Sequence, residues 1–124
     1  MTTLYTVRAA AACGEELHAV ITSRAVADSA CYPELQAGGA TVLQRAGQLV
    51  TASGRAVSAV RSAYVLGRVP LPAHRLLGCT AVPLGLALEP YGAEREELEP
   101  SGGWTRGLLW LGRLPAAMAW ELAL

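Results

Sequence analysis

Few side chains in this chain are of the kind that do acid, base or anion chemistry inside a protein. One is Glu121, in the closing stretch GLLWLGRLPAAMAWELAL (107 to 124), where a carboxylate stands among apolar neighbours with no cation beside it. Two arginines, Arg45 and Arg61, stand in TVLQRAGQLVTA and AVSAVRSAYVL, the two arms around an SGR turn. A carboxylate on a small-residue surface can hold a hydroxyl or move a proton. A guanidinium near it clamps a carboxylate, best in bidentate fashion. A bland reading stands beside this one: Glu121 as an edge charge facing water, with Arg61 as its structural partner.

Other chemistries find less support. His18 and His74 are far apart and do not combine with Cys13, Cys31 or Cys79 in a metal-binding spacing, so neither a metal nor any other cofactor is expected. All ten cations are arginine, which removes lysine imine chemistry. Three cysteines without a CxxC pair read as reduced thiols, with Cys79 a buried apolar residue, and point to a cytoplasmic protein. Ten arginines balance ten acids, so there is no basic excess to favour nucleic acid or an anionic membrane. The three tryptophans gathered in the last hairpin therefore read as packing. The start of the chain, broken by Arg8, makes a poor export signal. The C-terminal apolar run, broken by Gly112, Arg113, Pro115 and Glu121, makes a poor membrane span. A soluble protein with a small-molecule partner is the expectation, with a homo-oligomer as an option.

The elements that must position Glu121 and the arginines follow from alternation and turn chemistry. A chain of 124 residues with 52% hydrophobic content suits one domain, residues 1 to 124. AAAACGEELHAV leans helical through its alanines, and ELHAVITSR leans extended. DSACYPELQAGGA reads as a connector. The arms around SGR form an antiparallel hairpin. PLPAHRLLG is a short helix opened by proline, TAVPLGLALEPYG a short helix or structured loop, and AEREELE an edge strand or exposed helix turn with a solvated acidic border. The closing stretch folds into a second hairpin about Gly112 and Arg113, with Pro115 near the start of its second strand. Together these predict an α+β domain, an antiparallel sheet with short helices on one face.

On the last strand, Met118, Trp120, Leu122 and Leu124 project to one side to fill the main core. Ala117, Ala119, Glu121 and Ala123 project to the other, which methyl groups leave roomy. If the SGR loop takes three residues, Ala52 pairs with Ala56 and Arg45 lies opposite Ala63, beside Arg61. A two-residue loop turns Arg45 the other way.

In this order, QLVTASGRAVSAVRSAYVL, TAVPLG and GGWTRGLLWLGRLPAAMAWELAL resemble the central hairpin, the PLG turn and the closing hairpin of the chorismate pyruvate-lyase (4-hydroxybenzoate synthase) family, over residues 43 to 124. The related ligand-binding fold also serves as the sensor domain of some bacterial transcription regulators. The resemblance implies a chorismate lyase-like fold and a cofactor-independent lyase that releases pyruvate and an aromatic acid. It implies an enclosed cavity in which Arg45 and Glu121 contact the product, Leu84 of the PLG turn supplies a backbone contact with Gly85 beside it as a further substrate-binding residue, and Arg61 serves as a further strand arginine. Tyr91 closes the mouth of such a pocket or sits in a surface turn. Two departures stand out. Arg45 is one residue farther from Gly54 than the family pattern places it, which calls for a bulge or a longer turn. The region before residue 43 is shorter than in typical lyases. These departures keep two alternatives open: a tailoring enzyme, such as a cyclase or isomerase, on an unsaturated or aromatic metabolite, and a non-catalytic binding module.

Overall fold

In the computed structural model, residues 16 to 124 are described, and they build one six-stranded antiparallel sheet with two short helices. The strands are β1 (Leu17–Ala27), β2 (Val42–Thr51), β3 (Ala56–Val65), β4 (Glu94–Ser101), β5 (Trp104–Leu111) and β6 (Leu114–Ala123). They lie in the order β1-β2-β3-β6-β5-β4, so the two expected hairpins meet at a central β3–β6 pair. The helices α1 (Leu71–Cys79) and α2 (Leu84–Leu88) fall between β3 and β4, each preceded by a proline that sets an extended backbone before the first turn. The expected helix start at residues 9 to 15 lies outside the described residues, and AEREELE is a strand.

Both faces of the sheet are buried, unequally. On one, Ala73 and Leu77 of α1 and Leu84, Ala87 and Leu88 of α2 pack on Tyr64, Leu109 and Ala117. On the other, the turn Pro33–Leu35 inserts Leu35 against Val42, Ala63, Leu108 and Met118. The division expected of β6 holds at Met118, but Trp120 and Leu122 are only half-buried and Leu124 is exposed. The alanines earn their burial because the helices need close approach. Ala116 and Ala117 are fully buried beneath them.

Two β-bulges decide which face each polar side chain occupies. In β1, Ile21 pairs with Gly47 and Ser23 with Ala46, leaving Thr22 as an extra residue. Alternation resets there, and Arg24 comes to lie directly opposite Arg45. In β3, Leu49 pairs with Ser58 but Val50 with Ala56, so Val57 is the extra residue. The turn itself spans Ala52 to Gly54, closed by Thr51 N–H donating to the Arg55 carbonyl at 2.9 Å, with Gly54 at φ +90°. Turn and bulge together set Arg45 opposite Ser62, where the longer-loop expectation had Ala63. Arg45 therefore shares the helix-covered face with Glu121, whose own partner on β3 is Val60. Arg61, opposite Ala46 and Trp120, goes to the other face.

The β1 bulge requires Gly47. A Cβ there would sit 2.0 Å from the Val20 carbonyl oxygen, and that neighbour is backbone that cannot swing aside. Gly47→Ala is expected to destabilise the fold by about 2–3 kcal/mol in chemical denaturation, within the range of overpacking. Gly67→Ala, which has open space around it and no unusual φ, should stay within about 0.5 kcal/mol of wild type.

Candidate functional site

Between the helix-covered sheet face and α2 lies a cavity of about 60 Å³. Ala19, Ile21, Leu49, Val60, Leu109 and Ala119 give it an apolar wall, Pro83, Leu84 and Gly85 form its cover, and Arg45, Arg95 and Glu121 bring charge into it. The three charged residues are 5%, 6% and 4% exposed, so each must be satisfied by protein or by a ligand.

Glu121 is satisfied by a residue that sequence reasoning placed on a solvated border. Arg95 of β4 donates from Nη1 to Oε2 at 2.9 Å and from Nη2 to Oε1 at 2.7 Å, a bidentate pair across two strands. Oε1 also accepts from the Thr105 hydroxyl at 3.0 Å, and Arg95 Nε donates to Glu97 at 2.8 Å. Gly107 makes this reach possible, because a Cβ at 107 would fall 2.3 Å from Arg95 Nε and push the guanidinium off its partner. Burial works against the Arg95 charge, but the bonds from Glu121 and Glu97 outweigh it and hold the guanidinium above its ordinary pKa. Glu121 is thus an acceptor. Oε1 takes two hydrogen bonds and Oε2 one, and a carboxylate oxygen has room for two, so Oε2 can receive one more donor.

Arg45 presents the opposite situation. Its Nη2 donates to the carbonyls of Thr80 at 3.1 Å and Val82 at 2.8 Å, which ties it to the α1–α2 linker, while its buried Nε has no partner. None of its hydrogen bonds goes to a carboxylate. Burial, and then the charge of Arg24 across the strand pair, push it below the ordinary arginine value, down to about 10. Arg24 anchors the same linker at Thr80, donating to its carbonyl at 2.6 Å, and reaches the last turn of α1 at the Leu77 carbonyl, 3.3 Å away. A cation whose folded pKa is depressed destabilises the fold at every pH below about 10, and the cost fades only as pH climbs from there towards the ordinary arginine value. An anion on Arg45 would remove the same cost at neutral pH.

Of the residues singled out in the sequence, the structure brings Glu121, Arg45, Leu84 and Gly85 to one cavity. Arg61 borders it too, but strand register sends its exposed side chain to the opposite face, so it does not converge with Arg45. Tyr91, 42% exposed in the turn Glu89–Tyr91, is not among the residues lining the cavity. Cys79 is exposed at the end of α1, and the expected buried thiol is not found there. Sequence reading missed Arg95 and Arg24. The available signal was Gly107, since a glycine inside a strand marks the close approach of another group.

The Arg95–Glu121 pair makes a prediction that separates structure from chemistry. Arg95→Met alone should cost about 3–5 kcal/mol by leaving a buried carboxylate unpaired, while the double variant Arg95→Met/Glu121→Leu should recover most of that loss in a denaturation cycle. Glu121→Gln should lower stability as well as function, because it strips Arg95 of its charged partner.

The chain matches no family model and no curated protein sequence.

Proposed function

We propose that the cavity binds a small cyclic carboxylate carrying a ring oxygen, and that the chain is a cofactor-independent carbon–oxygen lyase of the chorismate type. The observation that carries this reading is Arg45: a buried guanidinium with a free Nε and no carboxylate on it, on the same face as Glu121 and under the Leu84–Gly85 cover. The two polar groups of the cavity are chemically unlike. Arg45 Nε offers a charge-assisted donor for a carboxylate, and Glu121 Oε2 offers an acceptor for a hydroxyl, with apolar wall between them for a ring.

For a chorismate-like substrate, the ring carbon bearing the hydroxyl loses its proton and the adjacent ether C–O bond breaks. The ring becomes aromatic, and the departing enolate takes up a proton to become pyruvate. Aromatisation supplies the driving force, so the protein's task is mainly orientation. Arg45 holds the ring carboxylate and Glu121 accepts from the ring hydroxyl. Arg95 and Thr105 keep Glu121 aimed. With both oxygens engaged by Arg95, Glu121 positions the substrate and does not act as a proton donor.

At about 60 Å³ the cavity has room for a few waters, well below the ~300–1,000 Å³ of typical ligand sites. A ring therefore requires the Thr80–Pro83 linker to move outward. That segment has no regular secondary structure and is held by Arg24 and by Arg45, the arginine that would meet the carboxylate. The closed volume and the occupied Glu121 favour one second reading, a binding module that holds such a ligand without turnover.

One set of measurements tests both. Incubation with chorismate should release pyruvate, followed by a coupled lactate dehydrogenase assay, and Arg45→Gln should lower kcat/KM by about 10²-fold, the order of losing one buried charge-assisted contact. In thermal denaturation 4-hydroxybenzoate should raise the Tm of wild type, and Arg45→Gln should shrink that rise. A rise that depends on Arg45, without pyruvate, would assign the binding role. Absence of both effects in folded protein would sink the whole reading.

A further inference from the structure

The opposite face of the sheet carries a larger depression, of about 490 Å³, bordered by Ser23, Cys31, Tyr32, Gln44, Arg61 and Trp120 among others. Its size falls within the ~300–1,000 Å³ typical of small-molecule sites. None of the residues bordering it is acidic.

A row of side chains crosses the sheet here: Arg106 on β5, Trp120 on β6, Arg61 on β3 and Ala46 on β2 are consecutive register partners. The two arginines flanking Trp120 are in different states. Arg106 is met by Glu34 at 2.8 Å. Arg61 is exposed, and among the described residues it has no ion pair or hydrogen bond. Beside it stands an aromatic wall. Tyr32 packs on Trp120 with ring centroids 5.5 Å apart and planes inclined at 55°, and its hydroxyl donates to Gln44 Oε1 at 2.6 Å. Both rings also lean on the buried cluster around Leu35 and Met118, which fixes them from below. Burial raises the Tyr32 phenol above its ordinary pKa and the Arg61 charge pulls against that rise, which places the guanidinium within electrostatic reach of the ring.

We propose that this groove is a second ligand site, for a small planar aromatic anion whose ring lies against Tyr32 and Trp120 and whose negative group sits on Arg61. Rigid aromatic side chains beside an unmatched guanidinium supply both parts of such recognition, stacking area and a fork of donors. Ala46 next to Arg61 keeps the floor low enough to admit a ring. The site stands apart from the lyase reading. Its arginine and both aromatic rings lie on the other side of the sheet from Glu121, and it holds whether or not the inner cavity turns over a substrate.

Cys31 borders the groove and is exposed, as is Cys79 at the end of α1, so the protein carries its own reporter and control. The test is the rate of iodoacetamide alkylation at each thiol, read by peptide mass mapping, with benzoate as the probe at concentrations up to millimolar. Benzoate should slow Cys31 several-fold and leave Cys79 unchanged. Phenol, which lacks the charge, and cyclohexanecarboxylate, which lacks the aromatic ring, should protect less. Arg61→Gln, a surface change that should leave the circular dichroism spectrum as in wild type, should weaken the benzoate protection about tenfold, the order expected for one charge-assisted hydrogen bond. Arg45 borders the groove as well, but its side chain is turned to the helix-covered face and tied to Thr80 and Val82, so Arg45→Gln should not weaken it. Equal Cys31 rates with and without benzoate would overturn the proposal. So would protection that survives Arg61→Gln but disappears with Arg45→Gln, which would put the ligand in the inner cavity.

Discussion

A carboxylate can be buried in this sheet because one guanidinium reaches it over a strand that has no side chain at the crossing point. Arg95 starts on β4, passes above Gly107 on β5 and closes on both oxygens of Glu121 on β6. Without Gly107 the reach fails, and without Arg95 the carboxylate would face an apolar wall unpaired. The small residues around it follow from the same constraint. Ala119 and Ala117 leave height above the sheet, part of which α2 fills and part of which remains as the cavity. One in-plane ion pair therefore sets both the local composition of three strands and the presence of a void.

The second ordering influence is register. One extra residue in β1 and one in β3 move Arg24 and Arg45 onto the helix-covered face and turn Arg61 to the other. Two cations side by side repel, and their cross-strand placement is tolerated because the carbonyls of Leu77, Thr80 and Val82 surround them with negative dipole ends. The result is a sheet with an asymmetric charge plan. One side pairs a neutralised carboxylate with a cation lacking a countercharge inside a closed space. The other holds an arginine beside an open aromatic wall.

How much of this could be read beforehand divides along physical lines. Both hairpins, the short proline-opened helices and the α+β class came from alternation and turn residues, which are local and period-based. The side of β6 that carries Glu121 was legible for the same reason. Where the bulges fall was not, since an extra residue leaves no compositional mark unless a glycine such as Gly47 accompanies it, and the register of Arg45 and the separation of Arg61 went with them. Arg95 was hidden by its company. In AEREELE four glutamates dominate the reading, and the one fully buried side chain is the only cation among them, a tertiary choice that local propensity cannot reveal.

The strand order has a consequence for how the protein comes to exist. The sheet's two halves, β1-β2-β3 and β4-β5, share no border of their own, and β6, the latest of the strands in chain order, is the piece that joins them. During synthesis both β3 and β5 must wait with an unpaired edge, and Arg95 waits with no carboxylate to meet. The β3 edge is a long-range partner of β6, whereas β5 meets β6 across a tight turn; the non-local β3–β6 pairing is slow to form and exposes strands to wrong pairing in the interval. The glutamates of β4 then have a use before the native state exists: they keep the waiting half repulsive to its own copies until the strand carrying Glu121 leaves the ribosome.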